Sequence, residues 1–145
     1  MKNNVHRLKM GFICIALFIL GSFEDIIAQS YPQMDDIIEC TFEKNGRDEY
    51  FGKGRMVWMS GDVYEGNMKD NYFFGLGKMV WATGESYEGE WENDLMNGFG
   101  KMIWNDSTVY VGYWKNNLMN GLGTLTYPDG TFEKGEWKDG ELIEN

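Results

Sequence analysis

The glutamates Glu88, Glu90 and Glu92 are the residues whose type and spacing come closest to those of an enzyme. Carboxylates two residues apart on a strand fall within the separation of about 5 to 10 Å that glycoside hydrolysis requires. Small and aromatic residues alternate with them throughout residues 87–92, which assigns the glutamates to one solvated strand face with no flanking pocket. Hydrolysis of a polysaccharide is therefore the least favoured function for this chain.

The other acids and the thiols do not form a chemical site either. Asp70, Asp94 and Asp139 lie in turns that lack the alternating Asp and Asn residues of a calcium loop. Beyond the first 28 residues, which we expect to be removed, the sequence has no histidine and only Cys40. This excludes histidine bases, zinc sites of the Cys/His kind and an intramolecular disulfide. We predict a protein that is not an enzyme and that holds no metal or cofactor.

Aromatic side chains are the remaining candidates for binding. Six of them recur at matching positions, and we call them the aromatic face; a peptide, a sugar or an apolar chain would suit such a surface. The alternative is that the same rings fill the core of a single-layer sheet, and the sequence leaves both open. A second column of rings, Trp58, Trp81, Trp104 and Tyr127, has the same two interpretations. The aromatic face consists of Tyr64, Tyr87, Trp91, Tyr110, Trp114 and Trp137.

A 23-residue repeat defines the elements that must position these rings. The chain has 145 residues, enough for one domain or a short repeat array. At a shift of 23, Met79-Val80-Trp81 superposes on Met56-Val57-Trp58 and on Met102-Ile103-Trp104. Fifteen of the seventeen glycines after Gln29 fall into four columns of the same lattice. An average glycine content of about 7% does not produce such columns by chance.

Each repeat is predicted to be a β-hairpin. Residues 87–92 alternate strictly, residues 93–97 form a turn-rich link, and residues 98–104 form a second strand. Short Gly-containing links such as Thr83-Gly84-Glu85 then lead into the next repeat. Glycine weakens a strand, so its recurrence indicates that rings must lie flat over the backbone. The fold class is therefore all-β, an elongated single-layer antiparallel meander of stacked 23-residue hairpins.

One repeat carries the fullest motif. Tyr87-Glu88-Gly89-Glu90-Trp91, followed by Asn97-Gly98-Phe99-Gly100, resembles the membrane occupation and recognition nexus (MORN) repeat, whose pattern is Tyr-x-Gly-x-Trp, a short turn and Gly-x-Gly. The motif recurs at Tyr110-Val111-Gly112-Tyr113-Trp114. Met68 takes the tryptophan position of an earlier unit, and Glu133 the tyrosine position of the last. The resemblance covers roughly residues 41–141 and implies the same hairpin architecture.

The resemblance also implies a general function. Similar proteins use these repeats as interaction or scaffolding modules, and binding to phospholipid headgroups has been proposed in the family. Such repeats often accompany an enzyme domain, for which we expect no room here. The implied function is a non-enzymatic binding or scaffolding module that contacts a protein partner, with membrane-surface association as the alternative.

The N-terminal residues have the pattern of a secretory signal. Lys2, Arg7 and Lys9 precede an apolar run at residues 10–20, and Ala28 provides a small residue for cleavage. The run is shorter than the about 20 residues that cross a bilayer. We expect a helical signal peptide at residues 1–28, a cap or linker at 29–40, the repeat array at 41–141 and a tail at 142–145. The mature protein would be exported to the periplasm, the cell envelope or the medium.

Charge restricts the partners. Without residues 1–28 the chain has 10 basic and 21 acidic side chains, a net charge of −11. Such a charge repels phosphate, so we expect no nucleic acid partner, and it disfavours anionic lipid headgroups. Solubility explains the charge, and attraction to a basic protein partner is the alternative. Self-association through free sheet edges is a further option.

Overall fold

The computed structural model describes residues 37–143. The predicted signal peptide, most of the predicted linker, Glu144 and Asn145 lie outside the described residues. Within them the chain forms eleven strands and no helix. The strands are β1 (Ile37–Cys40), β2 (Glu43–Lys44), β3 (Tyr50–Trp58), β4 (Val63–Lys69), β5 (Tyr72–Val80), β6 (Ser86–Glu92), β7 (Leu95–Ile103), β8 (Val109–Lys115), β9 (Leu118–Thr126), β10 (Phe132–Lys138) and β11 (Glu141–Leu142).

The strands form one open antiparallel sheet. From β3 to β11 each strand pairs with the next in sequence, and β1 pairs with β3 at the N-terminal edge. The short β2 pairs with the opposite end of β3. At the usual strand spacing, the ten strands on this path extend about 40 Å. The predicted all-β meander of repeated hairpins is confirmed.

Two-residue turns close the hairpins within each repeat. Asn93 and Asp94 both have positive φ, 52° and 64°, and the same holds for Asn116 and Asn117. Two central residues with φ > 0 define the type I′ turn, whose twist matches that of the flanking strands. Pairing therefore resumes at once, and β7 begins at Leu95 rather than after the five-residue link expected from the sequence.

Four-residue turns connect one repeat to the next. In the link after β5, the N–H of Trp81 donates to the carbonyl of Glu85 at 3.0 Å, and Gly84 has a φ of +98°. Ser107 stands where the other links have glycine, and it adopts a φ of +71°. The backbone geometry of this link is therefore retained where the glycine is lost.

The register places glycine beside glycine across the whole sheet. Gly77 pairs with Gly66 on one side and Gly89 on the other, and the row continues through Gly100 and Gly112. Bulges follow this row between β4 and β5, β6 and β7, and β8 and β9. We call it the glycine row. It carries no side chains, so it leaves space on one face of the sheet, and this face holds the core.

Candidate functional site

The six rings of the predicted aromatic face are buried on the core side of the sheet. Their exposed fractions lie between 0% and 5%. In this conformation the rings form the core, which is the alternative that the sequence left open. Their role in binding a partner stays a prediction, and it would need the core to open.

The hydroxyl end of each tyrosine ring lies over the glycine row. A Cβ atom added at Gly89 would lie 2.6 Å from the Oη of Tyr87, and one at Gly100 would lie 2.5 Å from its Cζ. The Tyr87 hydroxyl donates to the carbonyl of Glu90 at 3.0 Å, and Tyr64 and Tyr110 make the equivalent bonds three residues ahead. The ring has space, and its hydroxyl reaches a carbonyl oxygen, only because the glycine positions have no side chain.

Tryptophans close the other side of each tyrosine. The ring of Tyr87 meets Trp91 of its own repeat at 5.0 Å and Trp114 of the next at 5.6 Å, both nearly perpendicular. The Nε1 of Trp91 donates to the carbonyl of Gly77 at 3.1 Å. Perpendicular aromatic pairs contribute about 0.5 to 1.5 kcal/mol each beyond their buried area. Successive repeats therefore share one continuous core.

Burial changes the ionisation of these phenols. Desolvation raises the pKa of Tyr87, and the negative charge of Glu90 raises it further. The pKa of Tyr110 rises to about 12 through burial alone. A core phenol with this pKa stays neutral at physiological pH, which suits a structural role and not a proton transfer.

The two ends of the core use residues outside the repeat pattern. Phe42 lies over Gly54, where an added Cβ would be 2.7 Å from its Cγ, and it stacks near Tyr64 at a centroid distance of 6.3 Å. At the other end Glu133 takes the tyrosine position opposite Leu125, and the side chain of Leu142 fills the space over Gly135. Sequence reasoning missed Phe42, because it has no equivalent at a shift of 23.

The second aromatic column divides between core and surface. Trp58 is buried, at 2% exposed, and meets Phe73 edge to face at 6.2 Å. Trp81 and Trp104 are half-buried and pack against the core. This column therefore belongs mainly to the core, and only its later members present ring surface to solvent.

Turn side chains join neighbouring repeats. The Oδ1 of Asp94 accepts the N–H of Phe73 at 2.6 Å. In the same way, Asn71 accepts the N–H of Tyr50 and Asn117 accepts the N–H of Met96. Burial raises the pKa of Asp94, and the bond from Phe73 opposes that shift. The turn residues Asp94 and Asn117 thus have structural roles.

The three candidate glutamates are placed on the face opposite the core. Glu88 lies 3.7 Å from Lys78 and its side chain is 71% exposed. Glu90 accepts the N–H of Phe99 at 2.9 Å, and Glu92 accepts from Asn97 at 2.6 Å. Among residues 37–143 no group of three or more acidic, histidine or cysteine side chains is arranged to hold a metal ion.

The face opposite the core, which we call the outer face, is more apolar than the sequence predicted. The middle residue of Gly-x-Gly is apolar in three successive repeats, and we call these residues the outer row. Leu76, Phe99 and Leu122 form it, and they are 67%, 49% and 68% exposed. The alternation of residues 87–92 suggested a wholly solvated face, and the signal that sequence reasoning passed over is this repeated apolar residue between two glycines.

No helix in the described part of the chain has the length and hydropathy of a bilayer span. Comparison with curated proteins gives no match. The family model for the MORN repeat matches residues 47–63, 64–86, 87–109 and 110–132. These segments cover more than half of the sequence and follow the 23-residue lattice of the sheet. The chain is a member of the MORN repeat family.

Proposed function

We propose that this protein is a non-enzymatic binding or scaffolding module that contacts a protein partner through its outer face. MORN repeats indicate a repeat module often involved in binding or scaffolding. The observation that carries the proposal is the contrast between the two faces. The core face is closed by its own rings, whereas in the outer row Leu76, Phe99 and Leu122 are 67%, 49% and 68% exposed.

The outer row has the arrangement expected of a contact surface. Its members recur every second strand, about 10 Å apart, so an extended partner segment can contact several repeats at once. Lys53 occupies the equivalent position in the first repeat, where it pairs with Asn67. A charged residue is therefore compatible with the fold there, and exposed apolar residues in the later repeats are available for binding.

A pair of matched variants tests the contact surface. Leu76→Glu places a charge on the outer row, and Met59→Glu makes the same change at a turn residue that is equally exposed, at 71% against 67%. Each variant is cross-linked in intact cells and the attached proteins are identified by mass spectrometry. We expect Leu76→Glu to lose a cross-linked protein that Met59→Glu retains. Equal yields in both variants would contradict the proposal.

The proposal includes export. Lys2, Arg7 and Lys9, the apolar residues 10–20 and Ala28 support it. Mass spectrometry of the mature chain is expected to find Gln29 at its N-terminus in the envelope or culture fraction. An intact Met1 in the cytoplasmic fraction would contradict export without affecting the contact surface.

Lipid binding and hydrolysis are the competing functions. The net charge of −10 for the full chain disfavours anionic lipid surfaces, and we expect no flotation with vesicles of acidic or neutral lipids. The exposure of Glu88 supports the absence of catalysis. No turnover of a panel of glycans is expected, and turnover that Glu88→Gln abolishes would contradict a non-enzymatic function.

A further inference from the structure

The tryptophans on the core side of the sheet form two sets that differ in the use of their indole N–H groups. The first set belongs to the aromatic face. The Nε1 of Trp91 donates to the carbonyl of Gly77 at 3.1 Å, and Trp114 and Trp137 donate to glycine carbonyls in the same way. These donors are used inside the core, so the first set offers none to a ligand.

The second aromatic column leaves its indole donors without acceptors. The Nε1 of Trp58 is buried and has no hydrogen-bond partner among residues 37–143. Trp81 and Trp104 are half-buried, and within the same residues their indole N–H groups donate to no acceptor either. A buried donor that lacks an acceptor lowers stability, and such groups are rare in folded proteins. This column is therefore the part of the core side where an oxygen atom of a second molecule would be stabilised.

The members of this column are evenly spaced along the sheet. Trp58 ends β3, and Trp81, Trp104 and Tyr127 directly follow β5, β7 and β9. They therefore lie at the same end of every second strand, where the usual strand spacing separates neighbours by about 10 Å. A polyproline II helix has three residues per turn and advances about 9 Å in each turn. Each turn of such a helix thus brings the same side of the segment to the next ring.

A polyproline II helix also supplies the acceptors that the column lacks. It has no internal hydrogen bonds, so all of its carbonyl groups are free. An α-helix uses its carbonyl groups within the helix, and residues three apart on an extended strand point to opposite faces. Proline-rich segments in this conformation dock on aromatic grooves in several protein modules. The spacing and the free donors together favour this conformation over the other two.

Acidic side chains accompany the column. Each link that follows one of its members carries one acid and no lysine or arginine. In the link after β5, the N–H of Trp81 donates to the carbonyl of Glu85 at 3.0 Å, and side chains that face each other in this way share one face of the sheet. The acids of the other three links are Asp62, Asp106 and Asp129. The column is thus bordered by negative charges that recur once in each repeat.

We propose that the second aromatic column binds a proline-rich segment of a protein partner, in the polyproline II conformation and with Lys or Arg at every third residue. The prolines pack on the rings of Trp81 and Trp104, whose indole N–H groups donate to carbonyl groups of the segment. The basic residues face the acids of the links. About seven residues, or two turns, reach from Trp81 to Tyr127. Leu76 lies on the opposite face, so this site goes beyond the proposed function and does not depend on it.

Three synthetic peptides test the chemistry of the segment by calorimetric titration of the protein as the cell produces and processes it. Repeated Lys-Pro-Pro units combine the conformation with the charge, Glu-Pro-Pro units reverse the charge, and Lys-Gly-Gly units remove the conformation. We expect the first peptide to bind at least about tenfold more tightly than either of the others. Equal binding of the Lys-Gly-Gly peptide would overturn the proposal, because charge alone would then explain the binding. Binding of soluble polysaccharides without the Lys-Pro-Pro peptide would also overturn it and assign the column to sugars.

Three variants locate the site on the column. Trp104→Phe keeps an aromatic ring and removes the indole N–H; with an unchanged circular dichroism spectrum, it should bind the Lys-Pro-Pro peptide about tenfold more weakly. Glu85→Gln removes one charge beside the column, and its matched control Glu88→Gln removes one charge on the outer face. We expect about threefold weaker binding for Glu85→Gln and wild-type binding for Glu88→Gln. Wild-type affinity in both Trp104→Phe and Glu85→Gln would contradict the assignment of the site.

The two proposals fail separately. The outer face is tested by the cross-linked protein that Leu76→Glu loses, and this variant should bind the Lys-Pro-Pro peptide as the wild type does. A protein that binds no proline-rich peptide, but whose Leu76→Glu variant still loses that cross-linked protein, would refute the site on the column and leave the outer face intact.

Discussion

Replacement of Gly77 by alanine is the perturbation that tests the packing of ring against glycine most sharply. A Cβ atom at Gly77 would lie 2.7 Å from the Cζ and 2.8 Å from the Cε2 of Tyr64. The ring cannot move away, because Phe73 stacks on it at 3.8 Å and Trp91 meets it at 5.9 Å. The added methyl group must therefore displace Tyr64 or distort the strand.

The expected loss of stability follows from these contacts. Overpacking costs about 1 to 3 kcal/mol. Displacement of Tyr64 also weakens its hydrogen bond to the carbonyl of Asn67, about 1 kcal/mol, and its stacking on Phe73, about 0.5 to 1.5 kcal/mol. Alanine also restricts the unfolded chain, which offsets about 0.4 to 1 kcal/mol of this loss of stability. We expect Gly77→Ala to lower the free energy of unfolding by about 2 to 4 kcal/mol.

Two further glycines separate steric overlap from backbone strain. Gly46 has no atom within 4 Å of an added Cβ, and its φ is not positive. Gly84 has equal space but a φ of +98°. In urea unfolding followed by tryptophan fluorescence, Gly46→Ala should change stability by less than about 0.5 kcal/mol and Gly84→Ala by about 1 to 2 kcal/mol. If Gly77→Ala were as stable as Gly46→Ala, the packing argument would be refuted.

Further predictions concern ionisation and the N-terminal cap. Burial raises the pKa of Asp94, so its ionised form weakens the folded state. Asp94→Asn, the residue type of Asn117, should raise the urea midpoint at pH 7, and this gain should shrink near pH 3, where the carboxyl is protonated in both states. Because burial raises the pKa of Tyr110 to about 12, folding excludes its phenolate, and the free energy of unfolding should fall as the pH rises above about 10. Urea unfolding followed by tryptophan fluorescence at about pH 8 and about pH 11 checks this, and equal midpoints would argue against a buried phenol. Phe42→Ala should lower the free energy of unfolding by about 3 kcal/mol. The control is Phe51→Ala, because Phe51 lies on the outer face and is 38% exposed; it should lower this free energy by less than about 1 kcal/mol. Equal urea midpoints for the two variants would contradict the role of Phe42 as a cap.

Periodicity predicts the parts of the fold that repeat. The spacing of Tyr87, Gly89 and Trp91 was enough to infer a hairpin and the face each ring occupies, because alternation on a strand has a fixed period of two. The space above the glycines was predicted for the same reason. Periodicity could not show whether the rings are core or groove, since that depends on what covers them. Trp91 and Trp114 cover Tyr87, and they belong to two different repeats.

The features that sequence reasoning missed are those that occur once. Phe42 covers Gly54 at one end of the core, and Leu142 covers Gly135 at the other. A lattice of equivalent positions contains no information about such end residues. The outer face was also misjudged, because the alternating glutamates of one repeat were taken to represent all of them. Val111 and Tyr113 show that a single repeat can change its outer surface while the core pattern is preserved.

The chemical shifts of the glycine Hα protons test the central claim most directly. A proton beneath the face of an aromatic ring resonates at an unusually low shift, so the ring-covered glycines should stand apart from those in open turns. We expect upfield Hα shifts for Gly77, Gly89 and Gly100, and ordinary shifts for Gly46 and Gly84. If all five resonated in the ordinary range, the tyrosines would not lie over the glycine row, and the account of the core would be contradicted.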